Sequence, residues 1–180
     1  MGLGQTLLTI MALMLMGRLI LMVNRTTLET GSTKDMAEYA ITATSLGTSI
    51  LEYANDLAFD EATVDTFLTS TQSASLTAAA SFGPDAGETN FRIFDDIDDY
   101  HGYSKIDTIP TSAIFFTRVT VQYLNVVPPS TVTVTTVKKF NKLISVFVTS
   151  PSMVDYSFDP GNPRPDTLKF QSVFSYWYFR

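Results

Sequence analysis

Four aspartates lie within five residues of the stretch FRIFDDIDDYHGYSKID: Asp95, Asp96, Asp98 and Asp99. Carboxylates this close repel one another unless water solvates them or a cation bridges them, and oxygen ligands of this kind suit Ca²⁺. The spacing does not match an EF-hand loop, and the closing glutamate of that loop is missing. Two interpretations stay open. The four aspartates form a Ca²⁺ site, or they form an acidic turn that is solvated or caps backbone amides.

The same stretch holds His101, the single histidine of the chain. A lone histidine beside Tyr100 and Tyr103 is more typical of a packed or exposed loop residue than of a catalytic base. The chain has no cysteine, and no serine stands in a nucleophile-elbow setting. We therefore predict that the protein is not an enzyme and that it has no cofactor besides that Ca²⁺.

The net charge of the chain limits the kinds of partner that we expect it to bind. The chain has 180 residues and a formal net charge of -6. Phosphate binding needs clustered Lys and Arg, so this acidic balance argues against nucleic acid as a partner. The length suits one moderate domain with an appendage.

Three runs near the C-terminus alternate as half-buried strands do. Their predicted inward residues are Phe115, Val119, Val121 and Tyr123, then Ile144, Val146 and Val148, and finally Leu168, Phe170, Phe174, Tyr176 and Tyr178. Proline-rich stretches at 127–129 and 151–165 are expected to connect them. Residues 111–180 are thus predicted to form an antiparallel β-meander.

A helix is predicted before the sheet. Apolar residues recur every three or four positions at Met36, Tyr39, Ala43, Leu46, Ile50, Tyr53 and Leu57. This stripe predicts an amphipathic helix over residues 34–59 that covers one face of the sheet and ends near Phe59. Residues 60–110 are predicted to be a connecting loop region, with an acidic loop at 95–107. The predicted fold class is α+β.

The chain opens with a nearly uncharged apolar stretch over residues 1–23, in which Arg18 is the only charged side chain. Its length is close to what a helix needs to cross a bilayer. It could be a signal peptide, although a basic segment and a cleavage site are missing. It could also be a single-pass anchor, or a helix that is later buried among copies of itself. A bend or local melting is expected over residues 24–34, which include Gly31.

An apolar N-terminal helix that continues into an amphipathic helix and is followed by a small antiparallel sheet resembles the type IV pilin and pseudopilin superfamily. The resemblance implies that a prepilin peptidase removes a leader and that Met1 is the mature N-terminus. Gln5 then stands where most members carry a glutamate. The usual helix-breaking proline is absent, which leaves Gly17 as the weakest point of the helix.

This resemblance implies a structural subunit of an extracellular type IV pilus-like filament at the cell surface. The protein would reside in the inner membrane as a precursor and then form a homopolymer with the help of the pilus assembly machinery. The predicted assembly residues are Met1, Gln5, Gly17, Arg18 and Glu29. Arg18 and Glu29 stand about 16 Å apart along a helix, so we expect them to pair between subunits. The alternatives are a minor pseudopilin of a type II-like secretion system and a single-pass membrane-anchored domain that binds a ligand or Ca²⁺.

Overall fold

A computed structural model describes residues 2–110, 113–127, 131–155 and 164–177 of the protein. The chain forms two compact units, Met1–Tyr39 and Ala40–Arg180. Helix α1 (Leu3–Asn55) supplies all the secondary structure of the first unit and continues into the second. Met1 and Tyr178 lie outside the described residues, so the predictions made for them have no structural counterpart here.

The first unit is an exposed helix. Every side chain from residue 2 to residue 35 is exposed. No local melting interrupts α1 over residues 24–34, contrary to expectation. Threonine hydroxyls there donate to carbonyl groups of the preceding turn, as from Thr26 to Met22 at 3.0 Å and from Thr30 to Thr26 at 2.8 Å. Because these polar side chains are satisfied by their own helix, they do not interrupt it.

The second unit contains an antiparallel five-stranded sheet, which together with α1 confirms the predicted α+β class. The strands are β1 (Ser104–Thr108), β2 (Ile114–Val127), β3 (Thr131–Thr135), β4 (Asn141–Asp155) and β5 (Arg164–Ser175). They pair in the order β1, β2, β4, β5, and β3 also pairs with β2. Tyr123 pairs with both Thr135 and Lys142, so β3 and β4 lie on opposite edges of β2.

Two features of the sheet differ from the prediction. Strands β1 and β3 were not predicted. β1 has a single apolar residue, and β3 alternates Val with Thr over only five residues, with both valines exposed. The predicted connection at 151–165 is too long, since β4 continues through Pro151 to Asp155 and β5 begins at Arg164. A register shift between Thr149 and Val154 accommodates the extension, as irregular pairing tolerates proline.

The core lies between the second part of α1 and one face of the sheet. Described residues on the predicted inward faces are buried or half-buried, which confirms the strand pattern. On α1 the buried positions are Ala43, Gly47 and Ala54. Tyr53 is 58 % exposed, so its predicted place on the packing stripe is wrong. The helix also ends at Asn55, before the predicted Phe59.

Gly47 of α1 lies against the ring of Phe170 of β5. A Cβ atom at this position would stand 2.3 Å from Cδ2 of Phe170. We expect Gly47→Ala to lower the free energy of unfolding by about 1–3 kcal/mol, because the ring must move out of a packed position. Chemical denaturation of the full chain in detergent, followed by the fluorescence of Trp177, measures the change.

Gly31→Ala is the matched control for this prediction. Gly31 also lies in α1, but nothing stands within 4 Å of its hypothetical Cβ. The alanine therefore adds helix propensity without a clash, at a gain of about 1 kcal/mol. Equal effects at the two glycines would contradict the packing argument.

Candidate functional site

The most unusual side chain of the second unit is Lys142, a fully buried lysine at the start of β4. Alternate residues of a strand share one face, so Lys142 points to the same inward side of β4 as the core residues Ile144 and Val146. Its Nζ lies over the rings of Phe59, Phe82 and Tyr123, at 4.6, 5.1 and 5.5 Å from their centroids. Aromatic faces attract a cation, but they do not replace the hydrogen bonds of water.

Three oxygen atoms accept the hydrogen bonds of this ammonium group. Nζ donates to the carbonyl of Phe59 at 2.7 Å and to Oδ2 of Asp60 at 2.8 Å. It also forms a buried ion pair with Oδ1 of Asp98. A lysine has three donors, so this environment satisfies all of them. We call Lys142, Asp60, Asp98, Asp96 and Tyr123 the Lys142 cluster.

Asp60 is fixed by the loops around it. Its carboxylate accepts from the amide of Ala62 at 3.3 Å and from the amide of Thr77 at 2.9 Å. The hydroxyl groups of Thr77 and Tyr123 donate to it as well, at 3.1 and 3.2 Å. The buried Tyr123 hydroxyl has a raised pKa, because burial and the negative charge of Asp60 both disfavour the phenolate.

Asp98 reaches the lysine through a short backbone bridge. Ala58, three residues after the end of α1, pairs in parallel with Asp96. The amide of Ala58 donates to the carbonyl of Asp95, and the amide of Ile97 donates to the carbonyl of Ala58, each at 3.0 Å. The turn that follows begins at Asp98 and directs its side chain toward the lysine. The bridge therefore places the carboxylates of Asp60 and Asp98 beside the ammonium group of Lys142.

The carboxyl groups of Asp96 and Asp98 are both buried and lie close enough to affect each other's ionisation. Burial raises the pKa of Asp96 to about 9, and the negative charge of Asp98 adds to the increase. Burial also raises the pKa of Asp98, although the ammonium group of Lys142 opposes that effect. The protonated form of Asp96 is consequently favoured at neutral pH.

The structure divides the four aspartates that the sequence groups together. Asp98 belongs to the Lys142 cluster. Asp99 accepts from the amides of Asp95 and Asp96, both at 3.3 Å, and Asp96 accepts from the amide of Asp99 at 3.1 Å. Burial raises the pKa of Asp99 to about 7. These carboxylates therefore cap backbone amides of their own turn.

Two sets of carboxylates in this region lie close enough to share a cation, with ligand atoms within 4.8 Å of one another. They are Glu61 with Asp95 and Asp96, and Glu88 with Asp95 and Asp99. Each set offers three residues, whereas Ca²⁺ takes six to eight oxygen ligands. Ca²⁺ binding stays a prediction, and Asp98 is in neither set.

The raised pKa of Asp96 predicts a pH dependence of stability. The unfolded chain loses this proton near pH 4, and the folded chain keeps it to about pH 9. Between these values the folded state binds more protons, so the free energy of unfolding falls as the pH rises and levels off above about 9. Denaturant unfolding of the full chain from pH 4 to pH 10 measures the profile.

Asp96→Asn tests the origin of this dependence, because an amide keeps the hydrogen bonds of the protonated acid and does not titrate. We expect the profile of the variant to level off above about pH 7, beyond the pKa of Asp99. Asp65→Asn removes an exposed charge of the same region and serves as the control. An unchanged profile in Asp96→Asn would contradict the assignment.

The predicted assembly residues lie apart from the Lys142 cluster. Gln5, Gly17, Arg18 and Glu29 are all exposed on the first unit. Within the chain Glu29 accepts from Nε of Arg25 at 2.8 Å, so it already has one exposed partner. The pairing of Arg18 with Glu29 between subunits stays a prediction.

Sequence reasoning missed Lys142 as a site residue. The sequence did contain an indication, because Lys142 is in the same alternating set as the predicted inward residues Ile144, Val146 and Val148. A lysine at such a position requires a buried anionic partner. Neither a family model, nor a curated protein, nor a solved structure matches this chain.

Proposed function

We propose that the protein is a structural subunit of a pilus-like filament and that it polymerises through the apolar part of α1. One observation carries the proposal. The large apolar side chains from Leu3 to Leu28 range from 52 % exposed at Ile10 to 81 % at Leu3. The helix is long and apolar enough to cross a membrane. Apolar surface of this extent requires a cover, which a bilayer or other helices can provide.

Arg18 favours other helices as the final cover. It lies in the middle of the apolar stretch, and it forms no hydrogen bond or ion pair with the described residues. A central arginine costs about 2.5–3.5 kcal/mol on membrane-insertion scales, so it should acquire a partner from another chain. A carboxylate of a neighbouring subunit, such as that of Glu29, meets this need.

Glycines of the first unit that have open space around them also support packing against other helices. No atom lies within 4 Å of the hypothetical Cβ of Gly2, Gly4 or Gly17. In the helix interior, where Gly17 lies, glycine costs about 1 kcal/mol relative to alanine, and no contact with the described residues compensates for this cost. Small residues allow helix backbones to approach closely when several helices pack together. In the assembled filament they would serve that purpose.

The proposal includes the processing and assembly steps that the resemblance to pilins implies. The apolar helix holds a precursor in the inner membrane, a prepilin peptidase processes it, and an assembly machinery transfers it into an extracellular filament. Transfer from lipid yields less free energy than transfer from water, so close packing between helices must supply much of the specificity.

Shearing of the producing cells tests the proposal. We expect the sheared fraction to contain the full chain in thin filaments that electron microscopy resolves, with the N-terminus identified by mass spectrometry. Retention of the protein in membranes, with no filaments, would favour a single-pass anchored domain. A trace of the protein in filaments built from another subunit would favour a minor pseudopilin.

A further inference from the structure

We propose that Lys142 and Asp98 join through an intramolecular amide bond between Nζ and Cγ. The proposal concerns the second unit alone and does not depend on polymerisation. Three arrangements carry it: a fully buried lysine, a carboxylate in contact with its Nζ, and a second buried carboxyl group, that of Asp96, two residues from Asp98 in the same turn. Together they bring a nucleophile and an electrophile into contact, with a buried acid close by.

The fold holds the two reacting groups together. Lys142 is fixed by its place in β4, and Asp98 is fixed by the bridge between Ala58 and Asp96. Groups held in such contact react with effective molarities of about 10⁵–10⁸ M. This gain favours amide formation, which is unfavourable between separate amines and acids in water.

The surroundings favour the uncharged reactants. Lys142 is 0 % exposed and is enclosed by the rings of Phe59, Phe82 and Tyr123. In such a site, transfer of a proton from the ammonium group to a carboxylate removes two buried charges, whose desolvation is costly. The resulting neutral amine is a nucleophile. Exclusion of water also protects the product from hydrolysis.

Asp96 is suited to relay the protons. Asp96 is buried in the same turn as Asp98, and as a protonated acid it would donate to the carboxylate of Asp98 and polarise Cγ for attack. The Nζ–Cγ bond forms and one Cγ–O bond breaks. The two protons that Nζ loses depart with that oxygen as water, and Asp96 passes them on. The ammonium and the carboxylate become a neutral amide and one water molecule, so no external reagent is required.

Asp60 also contacts Lys142, but its hydrogen bonds make it the poorer electrophile. The backbone amides of Ala62 and Thr77 donate to its carboxylate. A backbone amide has no proton to give to a leaving oxygen, and the hydroxyl groups of Thr77 and Tyr123, which also donate to Asp60, are weaker acids than the carboxyl group of Asp96. Asp60 therefore orients Nζ, and Asp98 is the residue that reacts.

The intact mass of the full chain, purified in detergent and then denatured, tests the proposal. We expect it to be lower than the mass of its unlinked sequence by one water molecule. Proteolysis and tandem mass spectrometry should then find one branched peptide that joins Lys142 to Asp98. A folded protein with the unlinked mass would overturn the proposal, and a branch from Asp60 would overturn the choice of Asp98.

Two variants examine the chemistry. In Asp98→Asn the leaving group is nitrogen, so we expect a loss of ammonia in place of water. Loss of water from this variant would place the bond elsewhere. Asp96→Asn keeps the shape of the relay but removes its acid, and we expect an unlinked chain that is folded by Trp177 fluorescence. Full linkage in this variant would exclude Asp96 as the relay.

Discussion

Replacement of Lys142 by methionine is expected to lower the free energy of unfolding by about 3–5 kcal/mol or more. Methionine preserves much of the volume and the apolar stem of the lysine. It leaves Asp60 buried without its partner, and it leaves Asp98 with neither the ion pair nor the proposed amide bond, since both contact Nζ in the native protein. An uncompensated buried charge is among the most destabilising changes in a protein core. Denaturant unfolding of the full chain, followed by Trp177 fluorescence, measures the loss.

Two controls separate charge from packing. Lys169→Met alters an exposed lysine of β5, and its effect should stay within about 0.5 kcal/mol. In the double variant Lys142→Met with Asp98→Asn, one of the two unpaired charges is removed, so part of the stability should return. A loss in Lys142→Met no larger than that in Lys169→Met would show that the Lys142 cluster is not important for stability.

The second large effect is expected for Gly17→Leu, which we predict to lower the yield of sheared filaments at least about tenfold. Gly17 has open space around it in the single chain, so leucine should fit the isolated helix. In a helical assembly each added side chain would separate neighbouring backbones. A cost of 1.4 kcal/mol per contact already gives a tenfold change, and a filament repeats the contact in every subunit. Electron microscopy and quantitative immunoblotting of the sheared fraction measure the yield.

Membrane retention distinguishes this effect from a failure to insert or fold. Leucine is more apolar than glycine and a better helix former by about 0.8–1 kcal/mol, so the amount of Gly17→Leu in the membrane should not fall. Met16→Leu, the neighbouring volume-conserving change, should leave both membrane content and filaments unaltered. Normal filament yield from Gly17→Leu would refute close helix packing at this position.

The sheet could be predicted where one face of a strand is buried and the other is not. Val119, Val121 and Ile144 follow that alternation, and each is buried. β1 has no such alternation, and the alternating valines of β3 are exposed, because pairing with β2 and not burial defines these strands. Tyr53 was misplaced because the apolar stripe does not distinguish it from its neighbour Ala54, which fits the close contact.

The Lys142 cluster was not predictable from local sequence. Lys142 meets Asp98 across 44 residues and Asp60 across 82 residues. A clustered acidic sequence suggests a metal, and only the tertiary fold shows that Asp98 meets a lysine. The pKa values follow from the same contacts, since burial of Asp96 depends on the bridge to Ala58.

The position of Ala58 has a mechanical consequence. A tensile load that is carried to the end of α1 next reaches this residue, where it divides among parallel links. Two backbone hydrogen bonds connect Ala58 to residues 95 and 97, and the next residue, Phe59, accepts a hydrogen bond from Lys142 of β4. Part of the load therefore reaches the central strand β4 directly. The long stretch from Glu61 to Phe94 is not extended until these links break. With the amide bond between Lys142 and Asp98 in place, residues 98–142 would form a closed loop that tension cannot extend.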